Sequence, residues 1–117
     1  PDIELRDPAD WDRMRHAMQE VVSGLHGTAR RLLPNLKYPI AGKTGTAQVV
    51  GIKQDEEYDS EALRERLRDH ALFVAFAPVE KPEIAIAVVI ENGESAGRTA
   101  GPVAQSIINE YLGGAEG

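Results

Sequence analysis

Lys43-Thr44-Gly45-Thr46 places a cation, two hydroxyls and a glycine side by side, and Ala47-Gln48-Val49-Val50 follow directly. The hydroxyls of Thr44 and Thr46 can donate to a carboxylate, a bond that the anion's charge strengthens. Lys43 would keep a positive charge beside them and hydrogen-bond neighbouring hydroxyls. Gly45 leaves room for a substrate to approach the backbone closely. The N–H of Thr46 can point at a developing oxyanion, where one such donor is worth roughly 2.7–4 kcal/mol. Acyl transfer by a serine needs a nucleophile, a base, an oxyanion hole and a means of placing the substrate. This tetrapeptide supplies parts of the last two.

Two plainer readings compete. Ala41-Gly42-Lys43-Thr44 contains the Gly-Lys-Thr ending of a phosphate loop, but Lys37 stands where that loop needs its first glycine. A helix should also follow, and here β-formers do. The remaining alternative is a turn before a strand that reads Lys-Thr-Gly-Thr by accident.

Other residues carry less. Asp69-His70 resembles an acid–base pair, yet adjacent strand residues point to opposite faces, so a structural role at a strand entrance is expected. His16 and His26 read as a helix-face and a loop residue, without the pattern of a metal site. Trp11 reads as the anchor of a first helix. Tyr58 lies in a polar loop where it can touch a substrate or partner.

The elements that must position the tetrapeptide follow from periodicity. Asp7 as N-cap, Pro8 in the first turn and Asp10 behind it start a helix. Trp11, Met14, Met18, Val21, Val22 and Leu25 form one apolar face, expected to pack inward, and Gly24 ends the helix. Residues 25–38 read as a loop with a short helical turn. A strand is expected to begin around Thr44 to Thr46 and run on through the valines. Ile52 to His70 is a polar excursion, with a short helix over Glu61–Arg68 capped by Asp59 or Ser60.

Ala71–Ala77 and Glu83–Glu91 are near-continuous apolar β-formers, expected as central strands covered on both faces and joined by the loop 78–82. Asn92-Gly93 closes the last strand, and a flexible stretch from Glu94 to Gly97 precedes a final helix. Its expected apolar face is Val103, Ala104, Ile107, Ile108, Tyr111 and Leu112, with Gly113-Gly114 as its end. The fold class is α+β, an antiparallel sheet flanked by helices. Two helices are too few to cover two apolar sheet faces, which points to part of a larger domain.

At 117 residues the chain has room for one small domain. A net charge of −6 leaves no basic stripe for phosphates, which argues against nucleic acid as a partner. Arg64, Arg66 and Arg68 sit in a mixed-charge stretch typical of a solvated helix face. The absence of cysteine excludes a disulfide framework and a thiolate zinc site. The longest apolar runs fall well short of the roughly 20 residues that span a bilayer. Because the chain begins at Pro1, it is expected to be a segment, with any export signal or anchor upstream.

Lys-Thr-Gly is also one of three signatures of penicillin-binding proteins and serine β-lactamases, beside Ser-x-x-Lys and Ser-x-Asn or Ser-Asp-Asn. The stretch Ile40 to Val49 resembles the third motif of class B penicillin-binding proteins, the transpeptidases of peptidoglycan synthesis. Gly27-Thr28-Ala29 resembles the Gly-Thr-Ala that lies upstream of it. Arg66 to His70, Phe76-Ala77-Pro78 and Ile90 to Gly93 are similar to the elongation type often called penicillin-binding protein two. The likeness implies the C-terminal part of a transpeptidase domain.

It also implies a mechanism. A serine attacks the D-Ala-D-Ala end of a stem peptide, and an amine of a second strand resolves the acyl-enzyme. β-Lactams mimic the dipeptide and acylate the same serine. In that scheme Lys43 bridges toward the second motif. Thr44, Gly45 and Thr46 bind the substrate, its terminal carboxylate falling to the two threonines, and the N–H of Thr46 shares the oxyanion hole. No cofactor is implied.

The other two signatures are missing. Three residues beyond Ser23, Ser60, Ser95 and Ser106 stand His26, Leu63, Arg98 and Asn109, and two residues beyond stand Leu25, Ala62, Gly97 and Ile108. The chain alone is therefore expected to be inactive, and its first partner is the N-terminal part of the same domain, which would carry both motifs. Cell-wall elongation proteins are further candidate partners. The expected location is the periplasmic face of a bacterial inner membrane. The runner-up is a non-catalytic module of this fold that binds a peptide or a wall-assembly partner. A third reading is an independent globular domain.

Overall fold

The computed structural model describes residues 2–49 and 67–116. Helix α1 (Ala9–Ser23) is followed by a 3-10 turn (Arg30–Asn35), strands β1 (Ala41–Ala47), β2 (His70–Ala77) and β3 (Ile84–Ile90), and helix α2 (Ala100–Glu116). The strands form one antiparallel sheet in the order β1-β2-β3. The α+β class is as read from the sequence.

Local chemistry explains the ends of α1. Pro8 stands at the helix start in helical conformation, and the Asp7 carboxylate accepts the Ala9 N–H at 3.0 Å. The boundary falls one residue later than expected, while the capping carboxylate is the one expected. Arg13 ties the first turn to Asp7 and Asp10. Gly24 closes the helix, its N–H donating to the Glu20 carbonyl.

Register divides the sheet into two faces. Ala71, Phe73, Ala75 and Ala77 of β2 share one face with Ile84, Ile86, Val88 and Ile90 of β3, and the four β2 residues are buried. That face packs on α2, whose buried side chains include Ala100, Ala104, Gln105, Ile108 and Leu112. The spacing of four keeps these residues on one stripe. Phe73, Ile40, Ile108 and Val22 are the largest fully buried side chains. Gln105 donates to the Leu32 carbonyl at 2.9 Å and so pins α2 to the 3-10 turn.

Several expectations need correction. The opposite sheet face carries Leu72, Val74, Phe76, Ala85, Ala87 and Val89, and Val74 and Val89 are exposed, so among the described residues β2 and β3 are covered on one face and not both. Helix α1 lies along β1 and buries Val22, while Trp11, Met14 and Leu25 stay exposed. Trp11, Met14 and Met18 instead line an open groove of about 320 Å³ with Phe76 and Pro82.

On α2, Val103, Ile107 and Tyr111 form a second, exposed stripe beside the buried one, and the helix runs through Gly113-Gly114 to Glu116. Strand β1 begins at Ala41, earlier than expected, because pairing with β2 from Ala41↔Phe76 onward overrides the weak strand propensity of Gly42 and Lys43. It ends at Ala47, and Val49 lies outside it. Residues 61–66 of the helix expected over Glu61–Arg68, like Tyr58, fall outside the described residues.

The stretch after β3 is tied down. The Glu94 N–H donates to the Asp69 carbonyl at 2.9 Å, Ala96 and Gly97 are buried, and Gly101 N–H reaches the Ala96 carbonyl. Asn92 and Glu94 both sit at positive φ, 54° and 63°. Gly93 answers a different need, since a Cβ there would stand 2.7 Å from Ile90 Cγ2.

Candidate functional site

Lys43, Thr44, Gly45 and Thr46 all lie on β1, the edge strand of the sheet. Alternation sends Lys43 and Gly45 to the face of Val74 and Leu72, and Thr44 and Thr46 to the face of Phe73 and Ala71. Lys43 Nζ donates to the Thr44 carbonyl at 2.8 Å. Its recorded partner is thus a carbonyl and not a neighbouring hydroxyl, a difference from expectation.

That carbonyl also reports the strand's orientation. The N–H and C=O of one strand residue point the same way, and the direction alternates along the chain. A Thr44 carbonyl turned to Lys43 places the backbone groups of Gly42, Thr44 and Thr46 on the free side of β1. Lys43 and Val74 then exchange the ladder bonds. In agreement, a Cβ on Gly42 would stand 2.8 Å from the Val74 carbonyl oxygen. The Thr46 N–H faces outward, away from β2.

The two glycines of the strand differ. A Cβ on Gly42 would also lie 2.8 Å from the Phe73 ring, whereas one on Gly45 would make an ordinary 3.4 Å contact with Leu72 Cβ. Gly42 is a packing glycine. Gly45 leaves a gap on the solvent side that nothing in the described chain requires.

A loop joins the strand from behind α1. Thr28 Oγ1 and Thr44 Oγ1 are 3.0 Å apart. The Ala29 N–H donates to the Val21 carbonyl at 2.9 Å, and Arg30 reaches the Ser23 and Gly24 carbonyls. Ala17, Glu20, Val21, Gly24, Leu25, His26, Gly27, Thr28 and Lys43 surround an open cleft of about 440 Å³. His26, set aside as a loop residue, lines this cleft. Nothing in spacing marks Thr28, which meets Thr44 across 16 residues of chain. Gly27-Thr28-Ala29 was noticeable only through resemblance.

Asp69 and His70 hold the strand entrance. His70 Nδ1 accepts the Asn92 N–H at 2.9 Å, and Asn92 Nδ2 donates to the Arg68 carbonyl at 2.7 Å. These bonds join the start of β2 to the end of β3, the structural role expected of this pair. Among the described residues, no group of three or more His, Cys, Asp or Glu is placed to hold a metal ion. No helix among them is long and apolar enough to cross a membrane.

Comparison with known proteins extends the local picture. Residues 6–112 match the family of the penicillin binding protein transpeptidase domain. The peptidoglycan D,D-transpeptidase MrdA of Acinetobacter baumannii is 50% identical over 103 residues, which are 88% of this chain and 15% of that protein. MrdA of Haemophilus influenzae is 37% identical over 112 residues, 96% of this chain and 17% of that protein. The chain therefore spans less than a fifth of these relatives.

Among solved structures, Pseudomonas aeruginosa PBP2 in complex with WCK 5153 superposes with a TM-score of 0.79 at 49% identity, covering 96% of this chain and 21% of that one. Helicobacter pylori PBP2 in complex with MreC gives a TM-score of 0.70 at 32% identity, covering 89% and 17%. The class B resemblance read from Ile40 to Val49, and the elongation type read from Arg66 to His70, Phe76 to Pro78 and Ile90 to Gly93, agree with these relatives. The chain belongs to the penicillin-binding protein transpeptidase family, on the branch of penicillin-binding protein 2.

Proposed function

We propose that residues 1–117 are the C-terminal segment of the transpeptidase domain of a peptidoglycan D,D-transpeptidase of the elongation type. The observation that carries this reading is the edge strand β1, whose free border carries the Thr46 N–H and is flanked by Lys43 on one face and by Thr44 and Thr46 on the other. The relatives named peptidoglycan D,D-transpeptidase support the reaction class. The nucleophilic serine and its base come from the rest of the domain, since neither Ser-x-x-Lys nor Ser-x-Asn stands in this chain.

In the reaction, the serine oxygen adds to the penultimate D-Ala carbonyl of a stem peptide. The Thr46 N–H stabilises the oxyanion as it forms. The amide bond to the terminal D-Ala breaks, that residue leaves with a proton on its nitrogen, and an acyl-serine ester remains. An amine of a second strand displaces the serine and forms the cross-link. Thr44 and Thr46 hold the terminal carboxylate, and Lys43 supplies the positive field around it. A β-lactam enters the same route and stops at the ester.

The open sheet face with Val74 and Val89 fits coverage by the remainder of the domain. The periplasmic face of the inner membrane, with an anchor upstream of this segment, is the proposed location. The Helicobacter pylori relative captured with MreC supports a cell-wall elongation partner.

The test is release of D-Ala and cross-link formation by the full-length protein given stem peptides ending in D-Ala-D-Ala, with and without penicillin. Penicillin-sensitive release is expected. Peptide binding without release would favour the non-catalytic module, as would a remainder of the domain that lacks the serine.

A further inference from the structure

We propose that Thr28 is a positioning residue for the carboxylate site, acting through the hydroxyl of Thr44. The inference rests on the reading of Thr44 as a carboxylate donor and adds a residue outside the strand to it. Thr28 Oγ1 and Thr44 Oγ1 stand 3.0 Å apart, so one of the two hydroxyls donates to the other. A hydroxyl has one proton and two lone pairs. If Thr44 spends its proton on Thr28, it presents lone pairs outward and repels an anion. If Thr28 donates, the Thr44 oxygen is satisfied from behind and its own proton is free for the carboxylate. An arriving anion selects the second arrangement, and the two bonds in series strengthen one another.

The setting favours a fixed donor. Ala29 is fully buried in the core, and its N–H is bound to the Val21 carbonyl. The Arg30 guanidinium bridges the last carbonyls of α1, 2.9 Å from that of Gly24. Thr28 is thus held between a core residue and a capped helix end. Thr44 is held from the other side by the β1–β2 ladder, paired with the buried Phe73. Being β-branched, both side chains have few rotamers to lose when the bond forms.

The experiment compares acylation of the full-length protein by a penicillin and by its methyl ester, in the wild type and in Thr28→Val, Thr28→Ala and Thr28→Ser. The ester lacks the anion but keeps the lactam, so it reports the integrity of everything except the carboxylate site. Thr28→Val and Thr28→Ala should slow acylation by the acid about two- to tenfold, the worth of one net hydrogen bond. Acylation by the ester should stay within about twofold, and Thr28→Ser should recover the acid rate.

Equal losses with acid and ester would make Thr28 a structural residue and overturn the proposal, as would an unchanged acid rate. A wild type that does not distinguish acid from ester would overturn the carboxylate role of Thr44 itself. That outcome is visible before any variant is made.

Discussion

Gly42 and Gly45 stand three residues apart on one strand, and the geometry assigns them opposite sensitivities. At Gly42 a methyl group would meet the Phe73 ring and the Val74 carbonyl oxygen, each at 2.8 Å. Phe73 is 1% exposed and cannot swing into solvent, and the carbonyl belongs to the β1–β2 ladder. Overpacking of this kind costs about 1–3 kcal/mol, against the roughly 0.5–1 kcal/mol that alanine otherwise gains over glycine in a strand. Gly42→Ala should therefore be destabilising by about 1–2 kcal/mol net.

At Gly45 the added methyl touches Leu72 Cβ at an ordinary 3.4 Å, so Gly45→Ala should leave stability within about 0.5 kcal/mol of wild type or slightly above it. Its methyl, however, crowds the free border of the strand along which a substrate would lie, and acylation should fall about tenfold or more, equivalent to 1.4 kcal/mol of barrier. The assay pairs denaturant midpoints of the transpeptidase domain with fluorescent-penicillin labelling rates in the full-length protein. A Gly42→Ala variant as stable as wild type would refute the packing argument. A Gly45→Ala variant that acylates normally would refute the placing of substrate against β1.

Further outcomes follow from neighbouring groups. Lys43→Ala should lower the acylation rate sharply, by tenfold or more, while Lys81→Ala, exposed in the turn between β2 and β3, should not; equal effects would deny Lys43 a special role. Thr46→Val should weaken binding of a carboxylate-bearing β-lactam while sparing the backbone oxyanion contact, read as a changed affinity with a nearly unchanged acylation step. Asn92→Gly should cost about 1 kcal/mol for the bond to the Arg68 carbonyl. Asn92→Ala should cost roughly 1–2 kcal/mol more, because φ is 54° there; equal melting midpoints for the two variants would show that the turn is unstrained.

The sheet was legible because long apolar β-former runs such as Ala71–Ala77 have few other uses, and the turn at Asn92-Gly93 marks where the last run ends. The first helix was legible from Asp7 and Gly24, whose capping roles are local. What covers an apolar face is not local. The stripe from Trp11 to Leu25 shows which side of α1 avoids water, yet among the described residues only Val22 of that stripe is fully covered. The same holds for Val74 and Val89, and for Val103, Ile107 and Tyr111 on α2.

Strand β1 was placed late because glycine and lysine are poor strand formers, whereas pairing with β2 decides their conformation. Gly113-Gly114 was read as a stop, but two glycines do not by themselves end a helix, and α2 continues past them. Of the candidate site, Lys43 to Thr46 were found by residue type and spacing alone. Thr28 required the fold, since a hydroxyl pair joined across a loop leaves no periodic trace.

The central claim is that this chain completes an acyl-transfer site without supplying its nucleophile. The most direct measurement is penicillin treatment of the full-length protein, followed by proteolysis and mass mapping of the adduct. The account predicts a single acylated serine outside residues 1–117, within Ser-x-x-Lys. An adduct on Ser23, Ser60, Ser95 or Ser106 would contradict it.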